Sequence, residues 1–148
     1  ESVGTWDAEV KMWMAGAGTE PSISKGTSEQ KMILGGRYLQ QDFTGEMMGQ
    51  PFTGVGLTGY DNFKKKYVGS WIDNMSTALS TMEGVLDKDG KSCTMWGKMD
   101  DPATGQKDKK VKYVTRFVDK DTQIFESYDV TSFGDKAPVM MITYKRKK

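Results

Sequence analysis

Between Gly4 and Met14 the chain alternates, with Trp6, Ala8, Val10, Met12 and Met14 on one face and Thr5, Asp7, Glu9 and Lys11 on the other. A period of two is that of a half-buried β-strand. Only Trp13 interrupts the polar side. The stretch Gly16-Ala17-Gly18 and Pro21 predicts a flexible loop, and a second strand is expected from Ser22 to Ile33. After Gly35-Gly36 the segment from Arg37 to Met47 puts Leu39, Phe43 and Met47 on the same face as Arg37, Gln41 and Gly45. Further strands are predicted over 51–60, 67–73, 77–87, 91–99, 110–119, 122–130 and 137–145, with hairpin spacings and Asp-, Gly- and Pro-rich turns between them. No stretch of helical period competes.

A meander of about ten strands laid out as an open sheet would leave two unpaired edges, and closure removes both. The expected fold is therefore all-β, an antiparallel up-and-down β-barrel of about ten strands, lipocalin/calycin-like, with a single domain over residues 1–148. A barrel of that size holds either packed side chains or one small ligand.

Composition narrows the chemistry. The 148 residues contain no His, which excludes histidine zinc sites, His-ligated haem, and Ser-His or Cys-His nucleophilic catalysis. Cys93 is the one cysteine, so no internal disulfide forms. Lys and Arg total 21 against 20 Asp and Glu, which gives no global basic field for nucleic acid. The basic runs at 64–66, 107–112 and 145–148 read as solvated turns or chain ends. A mean hydropathy of −0.61 and the lack of a long apolar run argue against a membrane-spanning helix. A start at Glu1, with neither Met nor a signal-peptide pattern, implies processing or truncation.

Several motifs have a structural explanation. Gly54-Val55-Gly56-Leu57-Thr58-Gly59 fits G-x-G-x-x-G, yet a strand rather than a helix follows, so the glycines are expected to bend a strand and let a bulky neighbour lie on bare backbone. Asp87-Lys88-Asp89-Gly90 lacks the bidentate Glu of a calcium loop and reads as a hairpin turn. Asn74-Met75-Ser76 matters only for glycosylation in a secretory context. The eleven Met are dispersed over many strands, which suits an apolar lining better than a copper site.

The most informative constellation is Arg37 and Gln41 beside Leu39 and Phe43, with Trp71-Ile72-Asp73 further on. An inward Arg needs an anion, for which Asp73, Glu83 and Glu126 are candidates; alternatively Arg37 closes the rim, or it anchors a ligand.

Gly4-Thr5-Trp6 at the head of the first strand resembles the G-x-W signature of lipocalin-like barrels. The stretch GGRYLQQDFTGEMMGQPFTGVGLTGYDNFKKKYVGSWIDNMST over 35–77, together with the opening GTWDAEVKMWM and the closing Ile142-Thr143-Tyr144, resembles the bacterial family of domain of unknown function 1579. That resemblance covers nearly the whole chain. It implies a bacterial calycin-like barrel and supplies no reaction, cofactor or catalytic residue.

The residues together support a noncatalytic binder of a small apolar or amphipathic molecule, without a cofactor or metal. The expected cavity contacts are Trp6, Met12, Arg37, Gln41, Phe43, Tyr60, Trp71 and Asp73. Two other readings stand beside it. One is an interaction or self-assembly protein that uses Trp13 and Trp96, in which a homo-oligomer would form. The other is an enzyme with a carboxylate and Tyr60 or Tyr128 as acid or relay.

Overall fold

A computed structural model describes residues 2–13, 16 and 18–147. The strands are β1 (Gly4–Met12), β2 (Ser22–Ile33), β3 (Tyr38–Met47), β4 (Gln50–Asp61), β5 (Lys66–Asp73), β6 (Ser80–Leu86), β7 (Ser92–Asp101), β8 (Gln106–Asp119), β9 (Thr122–Asp129) and β10 (Met140–Arg146). Each pairs antiparallel with its neighbour in sequence. β1 also pairs with β10, from Trp6 against Arg146 to Met12 against Met140, so the ten-stranded up-and-down sheet closes into a barrel. No helix among the described residues is long and apolar enough to cross a membrane.

The differences from the sequence expectation lie at strand ends and have local causes. Leu34, Gly35 and Gly36 all take positive φ, and the Arg37 amide donates to the Ile33 carbonyl. This four-residue turn ends before Tyr38, so Arg37 belongs to the turn rather than to β3. Residues 77–79 lie outside β6. Strand β8 starts at Gln106 rather than at 110, because Asp101 and the positive-φ Gly105 complete a tight turn over 102–105. After β9 the chain makes one helical turn, α1 (Val130–Phe133), which period reading misses. The Asp129 carboxylate caps it by accepting from the Ser132 amide. Met14 and Ala17, expected in the first strand and its loop, lie outside the described residues.

Two lysine readings change as well. Lys109, expected in a solvated turn, is 5% exposed and forms an ion pair with Asp129, with Asp101 Oδ2 at 3.6 Å. The hydrogen bond to Asp129 holds its ammonium above the usual lysine range. Lys110, on the opposite face of β8, lies 4.6 Å from the Trp96 ring centroid. That contact covers part of an indole which the sequence offered as a docking residue.

Alternation sends one face of every strand inward. The packed part of the interior is built from Trp6, Ala8, Val10, Phe43, Phe52, Ile142 and Tyr144, with Met47, Trp71, Phe125 and Met140 against it. Two bare stretches of backbone make that packing possible. Gly54 and Gly56 lie under the Trp71 ring, where a Cβ on Gly56 would approach Trp71 Cε3 at 3.1 Å and one on Gly54 would overlap the indole. The G-x-G pattern is thus an indole seat inside a barrel wall.

Candidate functional site

The packing does not fill the barrel. At the rim that carries the start of β1 and the turns at 34–37, 62–65, 87–91 and 120–121, the interior opens into a cavity of about 380 Å³. Its mouth is apolar and half-exposed: Met32, Tyr60, Leu86 and Phe117 all line it. Leu39, Tyr67, Met95 and Phe125 form its walls.

Depth follows from register. The inward residues of β3 run from rim to core as Leu39, Gln41 and Phe43, and those of the paired β2 as Met32, Gln30 and Ser28. Gln30 and Gln41 face one another across β2 and β3 at the level where cavity gives way to core. Gln41 Nε2 donates to the Tyr144 hydroxyl at 3.0 Å, which ties β3 to β10 across the interior. Gln30 Nε2 donates to Ser28 Oγ at 3.3 Å, and Gln123 Nε2 to Ser2 Oγ at 2.9 Å. The floor is therefore polar and uncharged.

Among the described residues lining the cavity Arg37 is the sole charged one, and it stands at the mouth. Its Nη1 donates to the Leu34 carbonyl at 3.2 Å, and no carboxylate among the described residues pairs with it. The three acids considered as its partner are engaged elsewhere. Asp73 Oδ2 accepts from Trp71 Nε1 at 2.8 Å, Glu83 pairs with Lys66 at 3.1 Å, and Glu126 pairs with Arg116 at 2.9 Å.

Of the eight residues singled out from sequence, the structure brings Arg37, Gln41 and Tyr60 to the cavity wall. The others lie deeper or at the opposite end. Trp6 is fully buried, with Nε1 donating to the Ser2 carbonyl at 2.9 Å and the Arg146 guanidinium 4.3 Å above its ring. Phe43 packs edge-on against Phe52 in the core. Met12 sits at the far end of β1 opposite Met140, while Trp71 and Asp73 bond to each other near the far end of β5. Sequence reasoning passed over Gln30, Gln123 and Tyr144, although each falls on the inward phase of its strand and so presents a polar group to the interior.

Two titratable groups bear on the cavity. Burial pushes the Cys93 thiol up, and the Asp87 carboxylate adds to that effect. Burial also pushes the Tyr144 phenol up to about 12, against a smaller lowering by Gln41. The folded state thus holds the phenol proton more tightly than the unfolded chain, whose tyrosines titrate near 10. The resulting stability is fully present below pH 10 and is lost as pH rises toward 12. In urea unfolding at pH 9 and pH 11.5, the wild-type protein is expected to lose about 2 kcal/mol more than Tyr144→Phe between the two. Equal losses would show that the phenol titrates as freely as in the unfolded chain.

Among the described residues no group of three or more His, Cys, Asp or Glu is placed to hold a metal ion. Tyr128, considered as an acid or relay, does not line the cavity, and neither does its neighbour Glu126. Burial raises the Tyr128 phenol, and Glu126 beside it raises it further. A family model described as protein of unknown function (DUF1579) matches residues 1–146. No curated protein matches.

Proposed function

The chain belongs to this DUF1579 family of proteins of unknown function, and on that premise we propose that it is a soluble, noncatalytic binding protein whose barrel takes up one small amphipathic molecule at the β1 rim. The observation that carries this reading is the cavity of about 380 Å³, in the size range of small-molecule sites, opening through a ring of half-exposed apolar side chains. An interior that served stability alone would be filled, since each void forfeits packing contacts. Here the core cluster reaches Tyr144, and the cavity begins at Gln30 and Gln41.

Trp6 of Gly4-Thr5-Trp6 lies under Arg146, so the first and last strands are joined by a cation–π contact beside the seam that closes the barrel.

The neutral dye N-phenyl-1-naphthylamine tests the proposal. Its fluorescence is expected to rise on binding to the wild-type protein. Leu39→Trp places an indole in the cavity and is expected to weaken binding at least about tenfold, the effect of losing roughly 1.4 kcal/mol of apolar contact. Equal binding by the two proteins would place the dye elsewhere and contradict the proposal.

A further inference from the structure

The floor of the cavity restricts the chemistry of what can bind there. Each of Gln30 and Gln41 at the floor, and of Gln123 nearer the rim, uses its amide nitrogen in one bond within the protein. Their carbonyl oxygens accept from no described residue, yet among the described residues no buried side-chain oxygen or nitrogen is left without a partner. Those oxygens therefore face open space in the cavity that all three residues line. Each amide nitrogen also carries a second hydrogen. Reversing any of the three amides would exchange the free acceptor for a free donor and leave the floor polar.

Among the described residues neither an ammonium nor a carboxylate lines the cavity at this depth, because Arg37, the one charged residue of that lining, stands at the mouth. A charged group driven down to Gln41 would shed its hydration without gaining a counter-ion, which is costly. A wholly apolar end would strand the amide groups, which is also unfavourable. An uncharged group that both donates and accepts meets neither penalty.

We infer that the ligand enters with a neutral amide- or hydroxyl-bearing end against Gln30 and Gln41, its apolar body between Leu39, Tyr67, Met95 and Phe125, and any charged end left at the mouth beside Arg37. This inference rests on the cavity-binding reading and adds the chemical class and orientation of the ligand. The anion lies at Arg37 only as an outer substituent, since an exposed guanidinium in water contributes little to affinity.

Calorimetric titration at pH 7 of the full chain with octanamide, octan-1-ol, octanoate and butylbenzene separates the possibilities. Octanamide and octan-1-ol are expected to bind about tenfold tighter than octanoate, the effect of satisfying one buried polar group. Gln41→Leu is expected to weaken octanamide about tenfold without weakening butylbenzene, which offers only apolar surface and strands one amide fewer in the variant. Octanoate binding as tightly as octanamide, or octanamide indifferent to Gln41→Leu, would overturn the assignment of the inner end and leave the cavity reading standing. Failure of all four compounds to bind, butylbenzene included, would overturn the cavity reading itself. Unfolding curves of Gln41→Leu recorded alongside distinguish a lost contact from a lost fold.

Discussion

Trp6→Ala is expected to lower the stability of the barrel by about 3–5 kcal/mol, the cost of truncating a fully buried indole in a core that relaxes only in part. Trp6 is the largest side chain with no exposure, and it has three attachments. Its ring belongs to the core cluster that includes Ala8, Val10, Phe43 and Tyr144, its Nε1 donates to the Ser2 carbonyl, and the Arg146 guanidinium covers its face. Because Arg146 ends β10 and pairs with Trp6 near the start of β1, the loss falls on the seam that closes the sheet. Small domains hold only about 5–15 kcal/mol in total, so the variant should unfold at a much lower urea concentration. Trp6→Phe keeps an aromatic ring and gives up the Nε1 hydrogen bond, and it should lie between the two. A midpoint for Trp6→Ala within 1 kcal/mol of wild type would show that the seam does not depend on this residue.

The second large effect is expected at a residue with no side chain. Gly84 in β6 faces Met95 of β7 across the ladder. A Cβ at Gly84 would come within 2.7 Å of Met95 Cα and 2.8 Å of the Thr94 carbonyl carbon, and would overlap the Thr94 carbonyl oxygen. All three are backbone atoms, so no rotamer change relieves the clash and β6 must move away from β7. Gly84→Ala should therefore reach the upper end of the overpacking range, about 3 kcal/mol. Gly90, by contrast, has nothing near its Cβ position and sits in the following turn, where positive φ alone sets the penalty. Gly90→Ala should cost about 1 kcal/mol. Thermal unfolding of the pair checks the order, and a milder effect at Gly84 than at Gly90 would contradict the account.

Most strands were legible because the wall of this barrel is half-buried, and a half-buried strand writes its two faces into sequence as alternation. Trp6, Ala8 and Val10 are buried and Asp7 and Glu9 exposed, as the period requires. The same period assigned Arg37 to a strand, since it shares the phase of Leu39 and Gln41. The positive-φ turn that removes it from β3 depends on backbone geometry which alternation does not encode. The lysines at 107–112 misled for a different reason. A local run of charge favours solvent, but Asp129 lies across β8 and β9, and that non-local pairing draws Lys109 inside.

The candidate site was legible in phase and not in depth. Alternation places Phe43 and Gln41 on the same face of β3, and it cannot tell that one lies in the core while the other meets the cavity. That distinction needs the register of all ten strands, which fixes the level at which Trp71 and Phe52 fill the barrel and the level at which Gln30 and Gln41 meet the cavity. The glycines under Trp71 were legible as a place for a bulky neighbour. Which neighbour it was became clear only from the pairing of Gly56 with Trp71.

Cys93 offers the most direct measurement of the central claim, because it is the chain's one cysteine and its side chain lines the cavity. The rate of its modification by methyl methanethiosulfonate would be followed by mass spectrometry with and without saturating octan-1-ol. The account predicts that the bound alcohol slows modification at least about tenfold, since a filled cavity leaves the reagent no path to the thiol. Binding of the alcohol with an unchanged rate at Cys93 would place the ligand outside the barrel and contradict the account.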